Sequence, residues 1–326
     1  MNVLSLFDGI SCGQIAFERL GIKFDNADTH THTHYFASEI KKFAIETTMR
    51  NYPNTIQLGD VTKLHYENDR LYKNCDYNEI TEEWILGEEI PDSKIDILIG
   101  GSPCQNFSIA NMKDRQGFDG EKSRLFYEYL RLKNEINPKY FLLENVKMKK
   151  SNEEKINEYL GVKGLYINSN KVSFQDRKRI YWTNIPNVTI PEDKCVDFQA
   201  FKDYDKKRCE EAKVNMTPSR IRMWNNGNGN NGINRACDNV TNAFNIHCLT
   251  TKQDRCPNSG LIAYDGFCRF LTRRELELAQ TLPIGYCDNL SLRQVEDVTG
   301  DGWTVDVIVH ILKGLKNKAG DVNGFD

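Results

Sequence analysis

The chain has 326 residues, of which 39% are hydrophobic and 27% charged, and its 43 basic and 46 acidic side chains leave a net charge of −3. This is enough chain for one large domain or two ordinary ones, too apolar for a disordered protein, and too evenly charged for a generally basic nucleic-acid coat. No run reaches the ~18 apolar residues of a membrane span, the first eight residues lack the basic region of a signal peptide, and the ten cysteines include no Cys-x-x-Cys pair, so reduced thiols in a cytoplasmic protein are the expectation.

The first third alternates strand and helix patterns. Residues 3–7 form a short apolar run that fits a buried strand, broken at Asp8-Gly9-Ile10-Ser11-Cys12-Gly13 before a helical stretch over 14–20. Further strands are expected at 35–39, 56–58, 95–99 and 140–143, with helices over 40–50 and 124–136. Residues 68–89 are long for a connection and are expected to form a surface helix or hairpin. The β–α alternation predicts an α/β fold with a mostly parallel sheet and helices on both faces, and it draws attention to polar residues at the carboxyl ends of strands.

The pattern changes near residue 184. Residues 215–245 hold ten asparagines, including Asn225-Asn226-Gly227-Asn228-Gly229, a turn-forming composition whose amides also suit base edges and phosphates. Residues 183–275 carry 14 basic and 11 acidic side chains, a net of +3 that leaves −6 for the remainder. A helix is expected to open after Arg269, and the last one to run over 305–315.

Four places have the makings of a site. Gly100-Gly101-Ser102-Pro103-Cys104-Gln105 sets a cysteine on a tight turn just past a buried strand, where a thiolate could act as a nucleophile; the bland reading is a buried structural thiol. Glu144 ends an apolar strand, a poor place for a carboxylate unless it is paired or used, with a helix or loop cap as the alternative. In Gln175-Asp176-Arg177-Lys178-Arg179, an extended backbone would put Gln175, Arg177 and Arg179 on one face, suited to an anion or to a solvated edge. Finally, Phe7 to Gly13 makes a glycine turn without Gly-x-Gly-x-x-Gly or a Walker lysine. With Glu39 and Asp60 at the next strand ends, it describes a site for an adenosine-bearing ligand that needs no pyrophosphate.

Seven segments in this order resemble the DNA (cytosine-5) methyltransferase family: Phe7-Asp8-Gly9 with Gly13; Ser38-Glu39; Gly59-Asp60-Val61; Ser102-Pro103-Cys104-Gln105 with Phe107-Ser108; Glu144-Asn145-Val146; Gln175-x-Arg177-x-Arg179; and Arg269-x-Leu271-Thr272-x-Arg274-Glu275. The ending Gly302-Trp303-Thr304-Val305 looks more like the de novo eukaryotic type and its phage and bacterial cousins than like most bacterial members. The resemblance implies a Rossmann-like S-adenosylmethionine-dependent fold, with a catalytic domain at 1–183 and 268–326 and a small target recognition region at 184–267. It implies S-adenosyl-L-methionine as cofactor, S-adenosyl-L-homocysteine as product, and contacts from Phe7, Asp8, Gly9, Ile10, Gly13, Glu39, Ile40, Asp60, Val61, Pro103, Trp303, Thr304 and Val305. Cys104 would be the nucleophile, Glu144 would hold the cytosine edge, Arg179 its O2, and Arg177 backbone or phosphate. Gln105, Ser108, Gln175, Arg177, Arg220, Arg222, Thr250 and Arg269 would touch DNA. The target base must leave the duplex stack to be reached.

The resemblance also implies a restriction-modification setting, with double-stranded DNA and a cognate endonuclease as partners and a monomeric enzyme. A catalytically silent DNA-binding homologue and a tRNA-directed member of the family are the alternatives. Zinc deamination is set aside because Pro103-Cys104 has no following x-x-Cys and no His-x-Glu precedes it. The tract Asp28-Thr29-His30-Thr31-His32-Thr33-His34 departs from the family as an insertion. It is read as a solvated loop or strand extension rather than a metal site, with no metal expected.

Overall fold

The computed structural model describes residues 1–24, 33–103, 124–218, 220–221, 224, 239–254 and 258–316. They divide into two compact units. The first comprises residues 1–167, 178–190 and 309 onward; the second comprises 168–177 and 191–308. Segments 168–177 and 191–308 thus form the second unit, and the first takes up the chain on either side of them.

In chain order the first unit contains β1 (Val3–Leu6), α1 (Cys12–Arg19), β2 (Tyr35–Ser38), α2 (Lys42–Asn51) and β3 (Ile56–Gln57). The segment that follows holds β4 (His65–Glu67), β5 (Arg70–Lys73), β6 (Asp76–Asn78), β7 (Glu83–Ile85) and β8 (Glu88–Ile90). Then come β9 (Ile97–Gly100), α3 (Arg124–Ile136), β10 (Tyr140–Val146), α4 (Lys150–Leu160) and β11 (Leu165–Asn168). After β12 (Gln175–Asp176), which lies in the second unit, β13 (Lys178–Thr183) returns to the first.

Among the described residues one sheet has the order β11-β13-β10-β9-β1-β2-β3. β1 pairs in parallel with β2 and with β9, β9 with β10 and β2 with β3, whereas β13 runs antiparallel to β10. The expectation of a mostly parallel α/β sheet is met. β1, β2 and β9 are buried along their whole length, as parallel strands covered on both faces must be. Period-2 alternation sends Leu4, Leu6, Phe36, Leu98, Phe141 and Leu143 to one face. There they join Phe126, Tyr129 and Leu132 of α3 and Ile156 and Leu160 of α4 in a single apolar cluster.

The strand order sets where a site can form. From β1 the chain steps outward to β2 and β3, then returns to lay β9 and β10 on the other side. The reversal opens a crevice at the carboxyl ends of β1 and β9, where ligands of open α/β sheets bind.

Residues 65–90 are not helical. β4, β5 and β8 make a three-stranded antiparallel sheet, and β6 and β7 form a separate hairpin. The β4–β5 turn is Asn68-Asp69, both at positive φ (53° and 60°), as a two-residue hairpin with the right-handed strand twist requires.

In the second unit, β12 pairs in parallel with β14 (Ile246–His247), and β15 (Ile262–Tyr264) runs antiparallel to β16 (Phe267–Arg269). α5 is Lys206–Glu211. Two further helices, Arg273–Ala279 and Leu292–Asp301, each begin with a reciprocal capping box, Thr272 with Glu275 and Ser291 with Gln294. A last helix, Val305–Leu312, carries the chain back to the first unit. β12 and β13 belong to different sheets, so the expected single strand with Gln175, Arg177 and Arg179 on one face does not exist: the chain changes units at Arg177.

Candidate active site

The ends of β1, β2 and β3 are tied together by their own polar groups. Past β1 the backbone takes left-handed conformations at Phe7 (φ 58°), Gly9 (φ 61°) and Ser11 (φ 55°). For a side chain as large as Phe7 this region is sparsely populated and persists only where surrounding contacts enforce it. Those contacts are present. The Asp8 N–H donates to Ser38 O (3.1 Å), and the Gly9 N–H donates to Glu39 Oε2 (2.9 Å). Glu39 Oε1 accepts from the N–H groups of Ile40 and Lys41 (2.7 and 2.8 Å), so this carboxylate joins the β1 loop to the start of α2. The Ser38 hydroxyl donates to Gly59 O (2.8 Å) at the end of β3, and Asp60 there accepts from the N–H and hydroxyl of Thr62 (both 2.9 Å).

The residues present fit an adenosine-bearing cofactor. Phe7 is partly buried, Glu39 is held with oxygen lone pairs to spare, Ile40 is 71% exposed beside it, and Asp60 is exposed. Gly9 opens onto free space, with no atom near the position a Cβ would take. Asp8 is turned inward instead. Its carboxyl accepts the Tyr35 hydroxyl (2.8 Å) and the Ser11 hydroxyl, and burial pushes it up to about 6, partly offset by the hydroxyls of Ser11, Ser5 and Tyr35. Ile10, Gly13 and Val61 are also buried, Val61 within the apolar cluster, and they shape the site from behind.

The ends of β9 and β10 supply the second half. Asn145 donates through Nδ2 to Ser102 O (3.3 Å) and Oγ (3.1 Å), fixing the turn that leads to Pro103. Gly100 is needed for close approach: a Cβ there would lie 3.0 Å from the Tyr129 ring and 3.1 Å from Leu6 O. Beside Asn145, Glu144 Oε1 is 2.9 Å from Arg179 Nε, with the two side chains only 10% and 13% exposed. Antiparallel pairing of β10 with β13 sets this up, since Val146 lies opposite Arg179. A carboxyl and a guanidinium side by side at a sheltered strand end can address both acceptor and donor atoms of a flat heterocycle.

Several expected site residues are spent elsewhere. Arg177 is buried and donates to Leu249 O (3.1 Å), Gly300 O (3.0 Å) and Gly302 O (2.9 Å). Gln175 is fully buried, donating to Ala279 O (2.9 Å) and accepting from the Leu249 N–H (3.0 Å). Arg269 is fully buried against Glu275, with contacts of 2.7 and 2.9 Å. The side chains of these three residues are taken up by partners within the second unit. Thr304 donates to Gln280 Oε1 (2.8 Å) and meets the Ser169 hydroxyl, and Val305 is buried, so neither side chain faces outward. Trp303 is half-buried. Arg220 lies over the Phe270 ring (5.6 Å), and the Thr250 hydroxyl donates to Lys252 O (3.2 Å). Cys104, Gln105, Ser108, Arg222, His30 and His32 lie outside the described residues, while the His34 N–H donates to Asn2 Oδ1 (2.9 Å). Among the described residues, no group of three or more His, Cys, Asp or Glu side chains could hold a metal ion.

Two contributors were given no role from sequence. Asn145 was quoted in the Glu144-Asn145-Val146 motif, but its contact with Ser102 follows only from the structure. Tyr35 had no signal, because an aromatic residue opening a strand reads as core.

Comparison with known proteins gives relatives by sequence and by fold. The type II methyltransferase M.NgoBV of Neisseria gonorrhoeae is 34% identical over 201 residues, covering 56% of this chain and 41% of the relative. M.FnuDI of Fusobacterium nucleatum is 29% identical over 208 residues, covering 59% and 50%. The chain spans between about a quarter and a half of the length of the curated relatives it matches. The Entamoeba histolytica methyltransferase EhMeth shares the fold, with a TM-score of 0.67 at 16% identity over 97% of this chain and 99% of that one. The family model for the C-5 cytosine-specific DNA methylase matches residues 1–317, and the chain belongs to that family.

Proposed function

We propose that the chain transfers a methyl group from S-adenosyl-L-methionine to C5 of a cytosine flipped out of double-stranded DNA. The observation that carries this reading is the sheltered Glu144–Arg179 pair, 2.9 Å apart and one residue from the Asn145 side chain that fixes Ser102, two residues before Cys104.

Each side chain has a job set by the ring chemistry. Cytosine C5 does not displace a methyl sulfonium group unaided. The Cys104 thiolate adds to C6, an S–C6 bond forms, and the C5=C6 electron pair moves into the ring toward N3 and O2. Glu144 holds N3 and the exocyclic amine, with a proton at N3 so that charge does not build there; Arg179 holds O2. The resulting enamine has a nucleophilic C5. Phe7, Gly9, Glu39, Ile40 and Asp60 would hold the cofactor, which would supply the electrophilic methyl group, with S-adenosyl-L-homocysteine as the leaving group. Loss of the C5 proton to a base then returns the electron pair to the ring, the S–C6 bond breaks, and Cys104 is regenerated.

Residues 184–267 serve as the target recognition region, with Arg220, Arg222 and Thr250, together with Gln105 and Ser108, as the DNA contacts that remain. The enzyme acts as a monomer in the cytoplasm of a bacterial or phage-infected cell, alongside a cognate endonuclease. Among the described residues no helix is long and apolar enough to cross a membrane. The test is incubation with methyl-labelled S-adenosylmethionine, offering mixed-sequence duplex DNA and tRNA in competition. Label is expected in DNA at 5-methylcytosine. Label in tRNA alone, or none while the cofactor still binds, would overturn the reading.

A further inference from the structure

We infer that Tyr35 is a positioning residue for the cofactor, acting through Asp8 on the loop from Phe7 to Ser11. This rests on the reading above that an S-adenosyl ligand is held there. The loop carries three left-handed residues, two of them with side chains, so its shape has to be enforced. The backbone supplies Asp8 N–H to Ser38 O and Ser11 N–H to Asp8 O (3.2 Å). Two side chains add to this: the Glu39 carboxylate, which takes the Gly9 N–H (2.9 Å), and Asp8, whose two carboxyl oxygens take the hydroxyls of Tyr35 and Ser11.

Tyr35 is a fixed donor. It is 1% exposed, and its ring meets Phe24 edge-on (5.1 Å), which in turn meets Phe17 of α1 (5.5 Å). Burial and the neighbouring Asp8 push its hydroxyl well above the ordinary range, so it keeps its proton. The groups facing the Asp8 carboxyl are Ser5 from β1, Tyr35 from β2, Ser11 at the start of α1, and Glu39 past β2, while Cys12 faces Tyr35.

Ionised, the Asp8 carboxylate accepts both hydroxyls. Protonated, its O–H must donate, and either Tyr35 or Ser11 loses an acceptor. The grip on the loop therefore loosens as Asp8 takes up a proton, near pH 6.

The experiment is calorimetric titration with S-adenosyl-L-homocysteine, from about pH 5 to about pH 8, on the full chain and its variants. The wild type is expected to bind more weakly as pH falls through about 6. Tyr35→Phe is expected to bind about tenfold more weakly near neutrality, the effect of losing one hydrogen bond to a charged group, with its pH midpoint moved upward. Asp8→Asn is expected to abolish the pH dependence, and adding Tyr35→Phe to it should change affinity little. A Tyr35→Phe protein with wild-type affinity and midpoint would overturn the proposal, as would an Asp8→Asn protein that keeps the pH dependence, a result obtainable even where Phe at 35 fails to fold. A wild-type chain that binds no S-adenosylhomocysteine at any pH would overturn the cofactor reading along with it.

Discussion

A carboxylate at the end of a buried strand is costly unless it is paired, and Glu144 has its partner in Arg179, a diagonal neighbour on the paired strand 35 positions away in sequence. The pair predicts a split in kinetics. Glu144→Gln and Arg179→Ala should each lower turnover by about 10²–10³-fold, the scale of removing a proton donor or a charge-stabilising group. Both should leave S-adenosylhomocysteine affinity near the wild-type value, because neither residue belongs to the Phe7–Glu39–Asp60 cradle. Stopped assays for turnover and calorimetry for affinity check the two halves. Residue identity alone did not separate working arginines from bracing ones. Arg177, Arg179 and Arg269 are chemically alike and sit in motifs of equal quality, but only Arg179 ends beside Glu144. Arg177 feeds three backbone carbonyls and Arg269 pairs with Glu275. That difference is set by which unit each backbone enters, a long-range fact that no local pattern carries.

Among the elements, the parallel strands were legible because full burial gives short, largely apolar runs such as Val3–Leu6, with only Ser5 polar, and Ile97–Gly100, followed within a few residues by glycine or an acid. Residues 65–90 were less so. Their strands are three or four residues long, too short for a periodic signal, although Asn68-Asp69 is a legible hairpin turn. The end of β9 is where element geometry meets chemistry. Gly100→Ala would press a methyl group against the Tyr129 ring and Leu6 O, and one of them must shift. We expect a stability loss of about 1–3 kcal/mol by denaturant titration and a larger proportional loss of activity, since the displaced strand end leads to Pro103. Asn145→Ala should cost about 1–3 kcal/mol as well, because it strips two hydrogen bonds from buried Ser102. Leu98→Ala, in the same sheet but facing the apolar cluster, should cost about 2–5 kcal/mol with activity of the folded fraction preserved.

The whole molecule carries opposing pH dependences. Asp8 is held near 6 when folded against 3.8 as a free side chain, so its contribution to stability is complete below about 4 and is lost as pH rises through about 6. Asp203 works the other way. Burial pushes its carboxyl up, but Arg208, the Asp205 N–H and Thr272 outweigh this and bring it to about 2, so its contribution is present above 3.8 and is lost as pH falls toward 2. Melting temperatures measured across this range should therefore show Asp8→Asn flattening the decline from about pH 4 to 6, and Asp203→Asn flattening the acid limb. The net charge of −3 conceals a division, with a surplus of positive charge over residues 183–275 and a deficit elsewhere. The fold class follows from the β–α alternation and its strand-end motifs, while the chain crosses between the two packed units four times, which no local pattern signals. The central claim is that Cys104 attacks a cytosine held by Glu144 and Arg179. Its most direct test is incubation with 5-fluorocytosine duplex DNA and S-adenosylmethionine, where fluorine at C5 blocks release. A denaturation-resistant protein–DNA adduct in the wild type that disappears in Cys104→Ser is the predicted result; an adduct that persists in Cys104→Ser, or a wild type that methylates DNA without ever forming one, would contradict it.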